Sequence, residues 1–313
     1  MEMGNIKRGR YAPSPSGRLH LGNVCSSLLA WLDARHTGCE LIFRLEDLDP
    51  ERSYMDYAQL MAEDLRWLGL DWDAGWPEDE GFAQGERGEY YAAAFSELER
   101  RGLIYRCWCS RAERLASRAP HPGEEHPGGC ACRFLEGEAL SERERGKRPP
   151  AFKCAAPDRD MVIIDEHFGE YSQNPAREGG DFIVRRSDGV WAYQLAVSVD
   201  DMLMGVSRVV RAADLLSSAP KQSWLIETLG GTPPAYAHAP LLTAPDGRKL
   251  SKRDGDLNMA ELRRLYTPEQ LIGRLAYLCG LTDRPEPVRA AELVEAFDWA
   301  KVPLGPIDIS GVF

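Results

Sequence analysis

Nowhere in this 313-residue chain do about 18 apolar residues run together, so no helical membrane span is expected. Its opening residues, MEMGNIKRGR, have no apolar core and do not read as a signal peptide, which leaves a cytoplasmic location as the expectation. Basic charge is also short: 38 Lys and Arg stand against 49 Asp and Glu, for a net charge of −11. Proteins that coat nucleic acid indiscriminately are basic, so that class is excluded, whereas a specific contact through a local patch is not. Arg143, Arg145, Lys147 and Arg148 in SERERGKRPP form one such stretch, although a solvated charged turn is the simpler reading. No internal repeat is present.

Hydrophobic residues at 43% and charged residues at 28% are ordinary for a soluble globular protein, and the length suits two domains. Of the eight cysteines, Cys107, Cys109, Cys130 and Cys132 form two Cys-x-Cys pairs. In a reducing compartment this points to a metal rather than to disulfides. Cys25, Cys39, Cys154 and Cys279 sit among apolar neighbours and read as small core residues.

RYAPS is extended, and Pro13 and Pro15 keep helix out of it. From about Asn23, residues Val24, Leu28, Leu29 and Leu32 recur at helical spacing up to Gly38. ELIFRLED then reads as a buried strand, which makes one βαβ unit of a parallel sheet. Ser53 is the expected cap of a helix through Leu68, with Gly69 ending it, and helix resumes around Glu86–Arg101. Residues 107–150 break this rhythm and read as a metal-organised insertion. FIVRR and VWAYQLAVSVDD are expected to be strands around the Ser187-Asp188-Gly189 turn. SRVVRAADLL reads as a strand entering a helix, and PLLTAPDGRKLSKRDG as a strand, a turn and a basic loop. Beyond Asn258 the pattern is helical.

Two short motifs carry chemistry. In RYAPSPSGRLHLGN, His20 and Gly22 stand at the start of the first helix. A glycine there lets a phosphate approach backbone N–H groups at the positive end of the helix dipole, and a histidine can donate to its oxygens. Far downstream, Lys249 and Lys252 flank Ser251 in KLSKR. Two lysines on such a loop suit the negative charge that develops when the α-phosphate of ATP is attacked.

Together these motifs resemble the HIGH and KMSKS signatures of class I aminoacyl-tRNA synthetases. APSPSGRLHLGN, FRLEDLDPERS, LGLDWD, RGLIYRCWCS and WAYQLAVSVDDMLMGVSRVVRAADLLSSAPKQ are similar to glutamyl-tRNA synthetases, in order, over roughly residues 8–260. Only about 60 residues follow Arg253, so the chain resembles the short paralogous family, the glutamyl-queuosine tRNA(Asp) synthetases. The resemblance implies an α/β fold with the Rossmann-type parallel sheet of class I synthetases. It also implies a zinc-containing insertion and a mainly helical C-terminal region that contacts the RNA stem. The expected division is 1–106 and 151–255 for the two halves of the catalytic domain, 107–150 for the insertion and 256–313 for the helical region, with no anticodon-binding domain.

That family activates L-glutamate with ATP and Mg²⁺ and attaches it to the queuosine base of tRNA(Asp). The resemblance implies that Arg10, Tyr11, Ala12, Pro13 and Ser14 border the glutamate, with Arg10 or Arg211 pairing its side-chain carboxylate. A guanidinium does this in bidentate fashion. Glu46 would hold the α-ammonium, and Tyr193 would complete the pocket. His20, Gly22, Asn23, Lys249, Ser251 and Lys252 would meet ATP, with His20 and Lys252 the catalytic pair. Asn23 stands where the signature has its second histidine, and Ala212 where the family has glycine.

The family's zinc ligands are Cys-x-Cys followed by Tyr-x-x-x-Cys. Cys107, Cys109 and Cys132 match the cysteines, but Gly128 falls on the tyrosine and cannot ligate. Cys130 is the natural fourth ligand, with His126 and His121 as alternatives, and the implied role is one structural Zn²⁺ per chain. No protein partner is implied. Two rival readings remain: a truncated glutamyl-tRNA synthetase charging a 3′ end, and a non-catalytic RNA-binding module on a synthetase fold.

Overall fold

The computed structural model describes residues 7–110, 130–244, 247–248, 250 and 257–313. The chain opens with β1 (Arg8–Tyr11), buried after its first residue. α1 (Leu21–Thr37) presents Leu21, Val24, Leu28 and Leu32 to the core and ends at Gly38, whose φ of 66° is a left-handed cap that suits glycine. β2 (Glu40–Phe43) pairs in parallel with β1, Arg10 opposite Ile42, so the expected βαβ unit forms. α2 (Met55–Trp67) starts from Tyr54 rather than from Ser53, and no side chain caps it. β3 (Ala74–Gly75) extends the sheet beside β2, and α3 (Gly88–Arg100) follows.

β4 (Ile104–Cys107) leads to the cysteines. α4 (Gly137–Arg145) follows, a helix the sequence pattern did not announce. It buries no residue, so no apolar stripe marks it in the sequence, and its helix-forming Glu, Arg, Ala and Leu residues sustain it instead. Arg143, Arg145, Lys147 and Arg148 are exposed on it or just beyond it. β5 (Ala151–Cys154), β6 (Met161–Asp165), β7 (Gly169–Gln173) and β8 (Phe182–Arg185) come next. β4, β5 and β8 make a separate antiparallel sheet.

The second strand expected after the Ser187-Asp188-Gly189 turn is instead a helix, α5 (Tyr193–Leu203). Leu195, Ala196 and Val199 are buried at helical spacing, and Val197, Ser198, Asp200 and Asp201 are buried too. A helix covered all round has no polar face, so its periodicity is hidden until packing reveals it. β9 (Arg208–Ala212) passes through a 3-10 turn, Ala213–Ser218, before α6 (Ala219–Thr228) begins. β10 (Ala235–Ala239) and β11 (Leu242–Thr243) complete the central region. The C-terminal part is helical, with α7 (Met259–Leu265), α8 (Pro268–Leu278) and the short α9 (Ala290–Leu293). It closes with β12 (Ile307–Asp308), parallel to β11.

The strands run β3-β2-β1 on one side and β9-β10-β6-β7 on the other, parallel except at the β7 edge. The two groups meet where β1 lies beside β9, with Ser207 N–H donating to Arg8 O at 2.9 Å. The chain order reverses at this point, and in open α/β sheets the crevice beyond the strand ends at such a switch point is where ligands bind. One apolar core joins α1 and α2 to α7 and α8. No helix among the described residues is long and apolar enough to cross a membrane.

The C-terminal packing is close. A Cβ on Gly273 of α8 would lie 1.8 Å from the Glu286 carbonyl oxygen, so backbone would have to move. Gly273→Ala should therefore cost about 1–3 kcal/mol, as overpacking does. Thermal unfolding should show a lower Tm; an unchanged Tm would mean that the 286 segment yields freely.

Candidate active site

A cleft of about 450 Å³ opens at the C-terminal ends of β1 and β9. It is lined by every described residue the sequence singled out for glutamate or ATP: Arg10 to Ser14, His20, Gly22, Asn23, Glu46, Tyr193 and Arg211. Lys249, Ser251, Lys252, His121 and His126 lie outside the described residues, as does Gly128. Leu250, between the two lysines, is buried against the cleft, and its N–H donates to Leu242 O at 3.2 Å.

The arm after β1 continues the sheet's pairing. Arg44 N–H donates to Tyr11 O, Glu46 N–H to Pro13 O and Tyr54 N–H to Pro15 O, at 2.9–3.0 Å. This places Glu46 beside the arm. Arg10 and Tyr11 point to opposite sides, as neighbours on a strand must. The Tyr11 ring packs edge-on against Phe43 and Trp72 in the core.

Arg10 is buried. It donates from Nη1 to Val210 O at 3.0 Å and lies 3.6 Å from Asp201. Its Nε makes no hydrogen bond among the described residues. That Nε is the atom that faces Asp201 Oδ1 across the 3.6 Å gap, too far for a hydrogen bond but close enough for charge pairing. Arg44 is wholly buried and meets two carboxylates, although its Nε too makes no hydrogen bond among the described residues. It donates to Asp201 Oδ1 at 2.6 Å and to Glu46 Oε1 at 3.2 Å. Burial opposes its charge, but the attraction of Asp201 and Glu46 more than offsets that and holds its pKa above the usual value. Burial also raises the pKa of the Glu46 carboxyl, against the pull of Arg44 and Arg10.

Arg211 donates from Nη1 to Gln222 Oε1 at 2.6 Å, from Nη2 to Leu215 O at 3.2 Å and from Nε to His238 Nε2 at 3.0 Å. Gln222 in turn donates to Gln194 at 2.9 Å. Tyr193 stands among Arg211, Glu46, Arg10 and Gln222, and burial raises its hydroxyl's pKa. Asp201, Arg44, Gln222 and His238 escaped the sequence reading. Only Arg44 carried a signal, its place in FRLED beside Glu46.

The first-helix motif behaves differently from its sequence reading. His20 is the N-cap of α1, and its Nδ1 accepts from the N–H groups of Gly22 (3.1 Å) and Asn23 (3.3 Å). Those amides are therefore already bonded and do not wait for a phosphate. With Nδ1 accepting, the imidazole proton resides on Nε2, which is the donor. Asn23 Oδ1 closes the capping box by accepting from His20 N–H at 3.2 Å. A Cβ on Gly22 would lie 3.0 Å from His20 Cε1, so glycine gives the ring room to fold over the helix end. Ala212 has φ −69° and ψ 148°, so its methyl strains nothing in the backbone.

The four cysteines converge. Cys107 ends β4, and Cys130 and Cys132 flank the start of a 3-10 turn. The four Sγ atoms lie within 4.8 Å of one another, with nearest approaches of 3.4–3.6 Å. A tetrahedron of ~2.3 Å metal–sulfur bonds has edges near 3.8 Å, so the set fits a soft divalent cation. Burial pushes the Cys107 thiol up to about 11, and Cys109 is raised as well. Thiols crowded together resist ionising, and a bound cation removes that resistance.

A family model described as the catalytic domain of class I tRNA synthetases (E and Q) matches residues 7–306. The chain belongs to this family. Among curated relatives, the glutamyl-Q tRNA(Asp) synthetase of Symbiobacterium thermophilum is 47% identical over 96% of this chain and 95% of that protein. The protein of the same name from Nitratidesulfovibrio vulgaris is 43% identical over 96% and 94%. Glutamate–tRNA ligase 2 of Acidithiobacillus ferrooxidans is 40% identical, but only 55% of its length is matched. In structure, this class I synthetase superimposes on the glutamate tRNA ligase of Elizabethkingia meningosepticum, solved with its amino acid. The TM-score is 0.81 at 28% identity, over 97% of this chain and 67% of that one.

The cysteine geometry is open to direct test. Cobalt(II) added to the metal-stripped synthetase should give sulfur-to-cobalt charge-transfer absorption, and Cys130→Ser should weaken it. A variant spectrum identical to that of the wild type would remove Cys130 from the ligand set.

Proposed function

We propose that the chain activates L-glutamate with ATP and transfers the glutamyl group to the queuosine base of tRNA(Asp). The observation that carries the choice of acceptor is the match, over nearly the whole length of both partners, to relatives named for that reaction. The cleft supports the choice of amino acid. Arg10 and Arg211, both lining the cleft, suit the two carboxylates, and Glu46 suits the α-ammonium. Tyr193 fills the space between them. His20 offers Nε2–H to the phosphates of ATP with Asn23 beside it, while Gly22 admits the ring. Lys252, supported by Lys249 and Ser251, would face the charge that builds on the transferring phosphate. In this reading residues 107–150 are the insertion, and Cys107, Cys109, Cys130 and Cys132 hold one structural Zn²⁺.

Chemically, a carboxylate oxygen of glutamate attacks the α-phosphorus of ATP. The bond from that phosphorus to the bridging oxygen breaks, and pyrophosphate leaves. A hydroxyl of the queuosine ring then attacks the glutamyl adenylate, loses its proton and displaces AMP. No covalent enzyme intermediate is needed, so the chain's contribution is positioning and charge. Mg²⁺ enters with ATP and neutralises phosphate charge.

Two measurements test this. Labelled glutamate should transfer to tRNA(Asp) carrying queuosine, and not to tRNA(Asp) lacking it or to tRNA(Glu). Label on tRNA(Glu) would favour charging of a 3′ end, and no label on any RNA, together with no glutamate-dependent pyrophosphate exchange, would favour the non-catalytic module. Secondly, Glu46 must be ionised to hold an ammonium, and burial has raised its pKa. KM for glutamate should therefore rise as pH falls through that raised value. Glu46→Gln should raise KM about tenfold or more and remove that acid-side rise, since a hydrogen bond to a charge is lost. An unchanged KM would take Glu46 out of the pocket.

A further inference from the structure

Arg211 is aimed from behind by a buried chain that crosses three adjacent strands. On β9 and β10, Arg211 and His238 are register partners, and β6 lies on the other side of β10 with Asp165 at its end. His238 has no exposure and Asp165 is 2% exposed. Arg211 Nε, which can only donate, lies 3.0 Å from His238 Nε2, so that nitrogen must accept. The proton therefore sits on Nδ1, which donates to Asp165 Oδ2 at 2.6 Å. Asp165 is itself fixed. Its Oδ1 accepts the backbone N–H groups of Phe168 (2.8 Å), His167 (3.0 Å) and His238 (3.2 Å). Tyr236 stacks on His238 and lies beneath the guanidinium, 5.2 Å from it, which closes the remaining side.

We propose that Asp165 and His238 are positioning residues that select one imidazole tautomer and thereby fix the Arg211 guanidinium for a substrate carboxylate. This rests on the reading of Arg211 as a carboxylate clamp. The physical reason is directional. A neutral histidine offers one acceptor and one donor, and only the Nδ1–H form presents an acceptor to Arg211. The outer partner of a histidine sets which form is present, as it does where histidines bind metals or serve as bases. With Nε fixed by His238 and Nη1 by Gln222, the guanidinium plane has little freedom left.

Asp165→Asn is a near-isosteric test. The three backbone N–H groups keep the asparagine oxygen at the Oδ1 position, so its NH₂ faces His238 Nδ1. Nδ1 must then accept, the proton moves to Nε2, and two donors confront each other at Arg211. Long-range ¹⁵N correlation spectra of the imidazoles, with only six histidines in the chain, should show His238 changing from the Nδ1–H to the Nε2–H form. In pyrophosphate exchange with tRNA present, KM for glutamate should rise about tenfold or more, while KM for ATP stays put. His238→Gln places an amide oxygen near the old Nε2, so the aspartate no longer governs the acceptor. Asp165→Asn added to that variant should change KM for glutamate little. A purely structural role would give the same loss in both backgrounds, and that result would overturn the proposal. So would an unaltered tautomer with an unaltered KM in Asp165→Asn. Should Asp165→Asn fail to fold, His238→Gln against His238→Asn decides. Asparagine is too short to reach Arg211, so it should lose glutamate affinity where glutamine keeps it, and equal KM values would sink the idea. If the wild-type protein shows no glutamate-dependent exchange, the carboxylate-clamp reading falls and takes this proposal with it. That outcome is distinct from a wild type that exchanges while Asp165→Asn matches it.

Discussion

The site depends on one buried carboxylate. Asp201 on α5 receives Arg44 at 2.6 Å and stands 3.6 Å from Arg10, with all three side chains almost wholly inside. Two guanidiniums at that depth could not keep their charge without an anion, since removing one partner of a buried pair leaves an uncompensated ion. The pair also joins sequence regions far apart. Arg10 and Arg44 belong to the first βαβ unit, whereas Asp201 comes from the helix that precedes β9. The ion cluster therefore bridges the seam where the strand order reverses, and the cleft lies over that seam. Of the two guanidiniums that share Asp201, Arg10 lines the cleft and Arg44 is not among its lining residues.

The first-helix motif turns on one imidazole. Nδ1 of His20 caps α1, which fixes the ring and commits the proton to Nε2. The cap is held from the other side as well. Leu21 N–H donates to Leu257 O and Met259 N–H to Leu19 O, so the segment that opens the C-terminal helices clasps the motif. β12 pairs in parallel with β11, Leu242 opposite Ile307. The C-terminal region thus braces the first-helix motif and β11, and the short contact at Gly273 shows how closely that brace is packed.

The cysteine cluster stands on its own small sheet. Asp181, just before β8, ties this sheet to the turn that carries Cys132: it accepts from Tyr105 Oη and Ala156 N–H at 2.8 Å each and lies 3.7 Å from Arg133. Among the described residues, Trp108 is the one buried apolar side chain in this cluster besides Cys107 and Cys132.

The sequence by itself determined what depends on local spacing and residue chemistry. The βαβ opening, the paired Cys-x-Cys motifs, the His-x-Gly helix start and the grouping of Arg10, Glu46 and Arg211 in one cleft were legible there. Periodicity and short motifs report on neighbours along the chain. It failed where the deciding partner lay elsewhere. α5 read as a strand because burial on every side erases the polar face that marks a helix, and α4 was missed because it has no apolar face at all. Tyr11 lines the cleft, but strand alternation turns its ring into the core, which the motif alone did not reveal. The helix-start amides were taken as free, although the histidine beside them claims both. The engagement of Arg44 by Asp201, and of Arg211 by His238 and Asp165, joins residues separated by 27 to 157 positions. Only tertiary structure brings such groups within hydrogen-bonding distance in a medium where an unpaired charge is costly, and that cost decided which guanidiniums hold the fold and which face the cleft.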